Sequence, residues 1–554
     1  MARLVLGPLL RHVSEDAVTA WVETDSECEV DVLGRTARTF AVRGHHYALV
    51  VVDGLAPGTC QEYQVRLDGE VVWPFPDSPY PPSLIRTLMP GRPIKLIFGS
   101  CRHGTPETIG QHHGYEPDAL DAYALRMAKV DPQDWPDALL LLGDQVYADE
   151  TSPGTQELIR SRRPVDEPPG LEVADFEEYT ALYRESWLDP DVRWLLSTVP
   201  SAMIFDDHDI RDDWNTSQTW RRDIEATSWW QNRITGGLAS YWIYQHLGNL
   251  TPAELATDPF FQHVHDAPDA APLLDHLARR SDAEVDAADA GMGLRWSYRL
   301  DFGRVRMVML DTRCGRVLTD TRRQMMSDAE FDWFTEQVRG DYDHLLIGSS
   351  LPWLLPWAIH DMENWNEAVC ASERFGRFGE RMRRAGDLEH WASFYESFER
   401  LADALGGVAR GEHGAAPPAS ICVLSGDVHH AYVAKARFRT PVTSPVYQVT
   451  CSPVHNSVPA WIRFGFKAGW SRLAAAVTRP LRRLAGVRAH SVRWSRLAGP
   501  YFGNELATLV LDGRDARLEL ERAWPDDVGV PHLRPVTTLS LTPAGTTALR
   551  AHSS

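Results

Sequence analysis

Six short apolar runs recur along the chain, at 94–99, 138–143, 201–205, 305–310, 344–348 and 421–426, and each breaks off abruptly into polar residues. Runs this short, apolar at nearly every position rather than at alternate ones, are strands buried on both faces of a sheet. Helix-like stretches lie between them, among them 174–187 and 222–246. The pattern predicts a layered α/β domain over about 93–525. The aromatic-rich stretch 229–244 reads as packing for its core.

Residues 1–92 read as a separate, small all-β module. The stretches 17–22 and 47–52 have strand composition, and LAPGTCQEYQV (55–65) resembles the L-x-P-G-T-x-Y-x-Y-x-V corner of fibronectin type III-like sandwiches. A proline-rich connector at 73–90 marks the boundary. Residues 526–554 form a Pro/Thr/Ala-rich tail, part of which can add an edge strand. The formal charge of −20 argues against nucleic acid as the main partner. It suits a protein that holds metal, because carboxylate ligands count as negative until the ions are added. No apolar run approaches the length of a membrane span. Gly7 and Pro8 interrupt the N-terminal apolar stretch, which does not read as a signal peptide, so a cytoplasmic location is expected. The seven scattered cysteines predict no disulfide framework, and most of them read as small buried residues, Cys101 being the exception.

The residues just beyond the strands carry the chemistry, since an open α/β sheet binds ligands at its carboxyl ends. Cys101 and Arg102 come after the first run; Asp144, Tyr147 and Asp149 after the second. Asp206, Asp207, His208 and Asp209 come after the third, Asp311 and Arg313 after the fourth, and Asp427, His429 and His430 after the last. Singly, each has an ordinary reading as a helix cap, a turn residue or a buried histidine. Together, acids this crowded would repel one another unless cations were added. Thiolate, phenolate, carboxylate and imidazole suit an ion such as iron beside a second divalent ion. Two such ions clamp both oxygens of an in-line phosphoryl displacement.

The ordered set GSC, GDQVYAD, DDHD and SGDVH, spanning 99–430, resembles the PhoD-type alkaline phosphatases of the calcineurin-like metallophosphoesterase superfamily. GDQVYAD also matches the G-D-x-x-Y pattern of purple acid phosphatases. The resemblance implies a four-layer metallophosphoesterase β-sandwich flanked by helices and a dinuclear site that hydrolyses phosphoesters through a metal-bound hydroxide. Position by position, it implies that Cys101, Asp144, Tyr147 and His429 bind a first ion, Fe(III), with Asp144 bridging to the second. Asp207 and Asp427 then bind a second ion, for which oxygen-rich ligation favours Ca, Mg or Mn. His208 is implied as the catalytic histidine. Many members carry a further histidine after the next-to-last core strand; here SSLPW stands instead, and no histidine appears until His360. Asp212, Asp213 or water can take that place. His112 and His113 are within loop reach of the pocket or simply exposed. Arg102 and Arg313 read as anion clamps or as structural ion-pair partners.

From Val428 to Asn504 there is no Asp or Glu, against twelve Lys and Arg. Within this interval, 461–498 interleaves aromatic and basic residues and is expected to form basic amphipathic helices. They can serve as a lid that attracts anionic substrate, as a patch for anionic membrane, or as a helical insertion that neutralises the acidic body. The leading expectation is a phosphomonoester or phosphodiester hydrolase acting on a small substrate. The alternatives are a phospholipase-like diesterase at a membrane surface, or a metal-stabilised binding module without catalysis.

Overall fold

The computed structural model of the chain describes residues 1–104, 116–283, 294–319, 322–414 and 416–542. His112 and His113 fall outside the described residues. All six apolar runs are strands, and they divide three and three between two sheets. The first sheet runs Ser201–Ile204, Ala138–Leu142, Ile94–Gly99, Glu505–Asp512, Asp515–Pro525, Pro531–Ser540. Its first three strands are parallel and the rest antiparallel. The second runs Tyr298–Phe302, Val305–Leu310, His344–Ser349, Ser420–Ser425, Val446–Thr450, Ala431–Phe438, Val492–Tyr501. Four of these, from Val305–Leu310 to Val446–Thr450, are parallel.

Parallel pairing sends the carboxyl ends of neighbouring strands to the same edge, and register keeps them level. Gly99 stands opposite Leu141, Leu142 opposite Ile204, and Gly348 opposite Leu424. Alternate side chains point to opposite faces of a strand. Met307 and Met309 thus join one core with Leu141, Leu346, Leu424 and Leu509, between the two sheets. Val308, Leu310, Leu345, Ile347 and Val423 face the other way, under Phe331 and Phe334 of the helix Asp328–Gln337 and Phe398, Leu401 and Leu405 of the helix Tyr395–Arg410. The helix Ala119–Met127, capped by Asp118, covers the first sheet. The layers are helix, sheet, sheet, helix, as the strand pattern and the resemblance implied.

The N-terminal region is all-β, with two four-stranded antiparallel sheets and a short pair. Arg11 fastens it to the larger body, donating to the carbonyls of Ser201, Tyr244 and Gln245 at 2.7–2.8 Å. Two expectations change. The stretch 222–246 is not one helix: Gln218–Glu225 ends before Trp230–Tyr241 begins. The basic segment is helical only through Leu484, because Val492–Tyr501 pairs with Ala431–Phe438 as an edge strand. The tail contributes Pro531–Ser540 to the first sheet. As expected, Trp242 and Tyr244 are buried, Tyr244 stacking on Tyr183 with centroids 4.2 Å apart.

Candidate metal centre

Four of the six predicted ligands stand on left-handed backbone: Cys101, Asp144, Asp427 and His429 have φ of 59°, 48°, 64° and 46°. That conformation costs a non-glycine residue roughly 1–2 kcal/mol and persists only where neighbours impose it. The neighbours can be named. The Cys101 and Arg102 amides donate to the carbonyls of Gly143 and Asp144 at 3.1 and 3.0 Å, lacing the first two strand ends together. Asp209 braces the second and third, accepting from the Asp144 and Asp206 amides at 3.0 and 2.9 Å. Close approach also needs glycine. A Cβ on Gly143 would meet the Asp206 Cβ at 2.7 Å, and one on Gly426 would overlap the Ser100 hydroxyl.

The turns bring the predicted residues into one cluster. Cys101 Sγ lies 3.2 Å from Asp144 Oδ2. The Tyr147 ring packs against His208 with centroids 4.6 Å apart, and its phenolic oxygen accepts from Asn456 Nδ2 at 2.9 Å. Burial, reinforced by Asp427, pushes the Cys101 thiol up to about 12. Burial and the neighbouring Cys101 raise Asp144 and Tyr147 well above their ordinary ranges. Burial lowers His429 to about 4, which keeps its imidazole neutral, the form that ligates metal.

Asp144, Asp206 and Asp207 are all buried, with one oxygen of each within 4.8 Å of the others. At that distance, with an effective dielectric of about 20, two ionised carboxylates repel by roughly 3.5 kcal/mol. Asp144 Oδ1, Asp206 Oδ2 and Asp207 Oδ1 are buried with no hydrogen-bond partner. Buried polar atoms are rarely left so, because desolvation without a partner is costly. Asp207 Oδ1 has an ion contact with Arg313, but Asp144 Oδ1 and Asp206 Oδ2 have none, and a cation would satisfy them, so the donor set fits a metal ion.

On the far side of this triad the protein supplies a cation of its own. Arg313 is fully buried, its Nε paired with Asp206 and its Nη1 2.5 Å from Glu389. Its Nη2 makes ion contacts without hydrogen-bond geometry, 3.0 Å from Asp207 Oδ1 and 3.6 Å from Asp427 Oδ1. It is an internal counter-ion rather than an anion clamp. Arg102 is structural too, bonded to Asp118 at 2.7 Å and to Ser186 at 2.6 Å. Asp311 caps its own turn, accepting from the amides of Arg313, Cys314 and Gly315.

His208 stands beside a cleft that its partner Asp149 lines. Its Nδ1 is 2.9 Å from Asp149 Oδ1, while its Nε2 stands 3.9 Å from Asp212, beyond hydrogen-bond reach. Burial disfavours the imidazolium, yet Asp149 and Asp207 raise His208 well above its ordinary value. Burial likewise opposes ionisation of Asp149, but His208 holds it down at about 2. The adjoining cleft of about 480 Å³ is lined by Asp149, Glu150, Glu172, Asp212, Asp213 and Asp223 against Arg211 and Arg384. An anionic substrate enters such a lining only with added cations.

Three groups escaped sequence reasoning. His390 donates from Nε2 to Asp427 Oδ2 and is held from behind by Glu363, both at 2.8 Å. It stands at the histidine-poor corner, whereas His360 pairs with His490 elsewhere. Glu389 and Asn456 likewise reach the cluster only through tertiary contacts. Asp213 contributes its amide to Asp207 Oδ2 at 3.1 Å. The seven cysteines are free; five are buried, as expected of most, while Cys60 is exposed and Cys370 half-buried.

A family model described as PhoD-like phosphatase matches residues 110–463, and a model described as a domain of unknown function (DUF7800) matches residues 1–85. No curated protein matches. A solved structure of PhoD is similar with a TM-score of 0.59 at 12% identity, covering 99% of this chain and 92% of its own. A purple acid phosphatase isolated from yellow lupin (Lupinus luteus) seeds has a TM-score of 0.48 at 11% identity, covering 93% and 71%. The likeness to PhoD concerns the fold; the family match spans more than half of the chain and carries most of the motifs. The chain belongs to the PhoD-like phosphatase family and is a phosphoric ester hydrolase.

Proposed function

We propose that the chain hydrolyses phosphomonoesters or phosphodiesters at a dinuclear site. Cys101, Asp144, Tyr147 and His429 would hold the first ion, Fe(III), and Asp144, Asp207 and Asp427 the second, Ca, Mg or Mn. The observation that carries this reading is the buried carboxylate triad, in which Asp144 Oδ1 and Asp206 Oδ2 have no hydrogen-bond partner, set beside Tyr147 and a Cys101 held on strained backbone. When bound, two such ions supply Lewis acidity for the phosphoryl oxygens and hydroxide at neutral pH.

The protein's own groups do the rest. Asp149 fixes the His208 ring through Nδ1 and keeps it protonated, which leaves the Nε2 proton directed away from that bond. His208 Nε2 can bond a phosphoryl oxygen as charge builds there. It can also pass its proton to the leaving oxygen as the phosphorus–oxygen bond breaks. Asn456 orients the Tyr147 oxygen, and its donor role matches a phenolate.

The test is metal analysis of purified protein paired with hydrolysis of a chromogenic monoester and a chromogenic diester. Asp144→Asn, which removes the ligand shared by both ions, is expected to lose metal and at least about 10²-fold in kcat, more than an outer-shell change costs. Full metal content and full activity in that variant would sink the scheme.

A further inference from the structure

The helices Ala460–Gly469 and Arg472–Leu484 form a hairpin whose apolar stripe faces solvent. On the second helix Leu473, Val477, Leu481 and Leu484 share one face, and they are 82, 65, 38 and 85% exposed. On the first, Trp461 and Phe464 are 75 and 74% exposed. The opposite face is already used: Ala475, Thr478 and Arg482 are buried, and Arg482 Nε lies 3.0 Å from Asp361 on the helix Trp357–Cys370. The helix is therefore fastened by one side with its apolar side outward, the reverse of an ordinary surface helix.

The charge around the stripe selects the occupant. Arg463, Lys467, Arg472, Arg479, Arg483 and Arg488 lie on or just after the two helices, Arg479 also 3.8 Å from Asp361, with no acid between Asp427 and Glu505 along a chain of net charge −20. Two copies meeting through this face would bring two such basic sets together, so self-association is disfavoured. A surface of anionic lipid answers both the apolar and the basic character. We infer that the hairpin docks the protein on bilayers containing anionic lipid, the stripe entering the acyl boundary and the arginines meeting headgroup phosphates. The hairpin adjoins the metal centre: Phe466 packs on His430 with centroids 4.2 Å apart, and Asn456, which bonds Tyr147, lies just before the first helix. Docking thus deepens the hydrolytic reading, on which this step rests, by making the substrate a phosphoester borne by lipid at that surface.

The experiment is co-sedimentation of the full chain with vesicles of phosphatidylglycerol mixed with phosphatidylcholine, and with phosphatidylcholine alone. Wild type should pellet with the anionic vesicles at low salt, be released at high salt, and stay in solution with the neutral ones. The triple variant Leu473→Glu, Val477→Glu, Leu484→Glu, at exposed positions, should lower partitioning at least about tenfold. Arg472→Gln with Arg483→Gln should weaken binding and flatten its salt dependence. Both variants should keep wild-type turnover of a soluble chromogenic ester. Docking is overturned if wild type stays in the supernatant with anionic vesicles at low salt. It is overturned equally if the triple variant pellets as wild type does, or if the stripe proves to hold a dimer that the triple variant splits. Vesicle binding without any ester hydrolysis would leave docking standing and remove the catalytic reading instead.

Discussion

The two halves of the cluster are held by opposite means. Around Cys101, Asp144 and Tyr147, among the described residues, the nearby cation is the His208 imidazolium, which packs on the Tyr147 ring and is bonded to Asp149 rather than to these three. Burial keeps all three protonated, and left-handed backbone fixes Cys101 and Asp144. Around Asp207 and Asp427 the protein places two cations: Arg313, within 3.6 Å of both, and His390, 2.8 Å from Asp427. Burial opposes ionisation of Asp427, yet His390 and Arg313 hold it at about 2. A metal entering the first half displaces protons and finds no cation bonded to its ligands. One entering the second half shares its carboxylates with a guanidinium and an imidazolium. The first ion should therefore be the tightly held one and the second the exchangeable one.

The harshest break of this contrast is Arg313→Met. It removes the charge from the midst of Asp206, Asp207, Glu389 and Asp427 while roughly keeping the volume. Stranding buried carboxylates in this way costs about 3–5 kcal/mol, read as a lowered midpoint in urea unfolding. If the arginine acts as a counter-ion, added Ca or Mn should recover part of that loss in the variant and little in wild type. Equal recovery in both would mean that the guanidinium is only packing.

His390→Gln is gentler, since glutamine can still donate to Asp427 but carries no charge. With Asp427 still oriented and the rival charge gone, the second ion should bind more tightly. The concentration of it giving half-maximal activity should fall by up to about tenfold, or about 1.4 kcal/mol, while the first ion stays bound. Loss of both ions together would show the halves to be one unit.

The fold was legible because doubly buried strands write their burial into consecutive residues, and the order of the motifs traced the order of the strands. The proposed ligands Cys101, Asp144, Asp207, Asp427 and His429 were legible because each sits within a few residues of a strand end. His390 was not, lying far beyond the strand His344–Ser349 with a helical excursion between. Arg313 was seen but not understood, because a buried arginine and a substrate clamp look alike until its four carboxylate partners are placed. The strand Val492–Tyr501 was hidden by its own arginines. Val492 and Ala498 are buried at even positions, but Arg493 and Arg496 extended the basic composition of the helices before it.

Tyr147→Phe is the mildest change and separates the halves most cleanly. The lost hydroxyl accepts one hydrogen bond, from Asn456, and the ring's packing on His208 survives the substitution. Stability should fall by no more than about 1–3 kcal/mol, the cost of leaving the Asn456 donor unpaired. If the phenolate ligates Fe(III), wild type should show a visible charge-transfer band that the variant loses. The second ion's half-saturation should stay unchanged, because Asp207 and Asp427 lie among Arg313 and His390, not Tyr147. A colourless wild type that contains iron would remove Tyr147 from the ligand set and leave Cys101, Asp144 and His429 to hold the first ion.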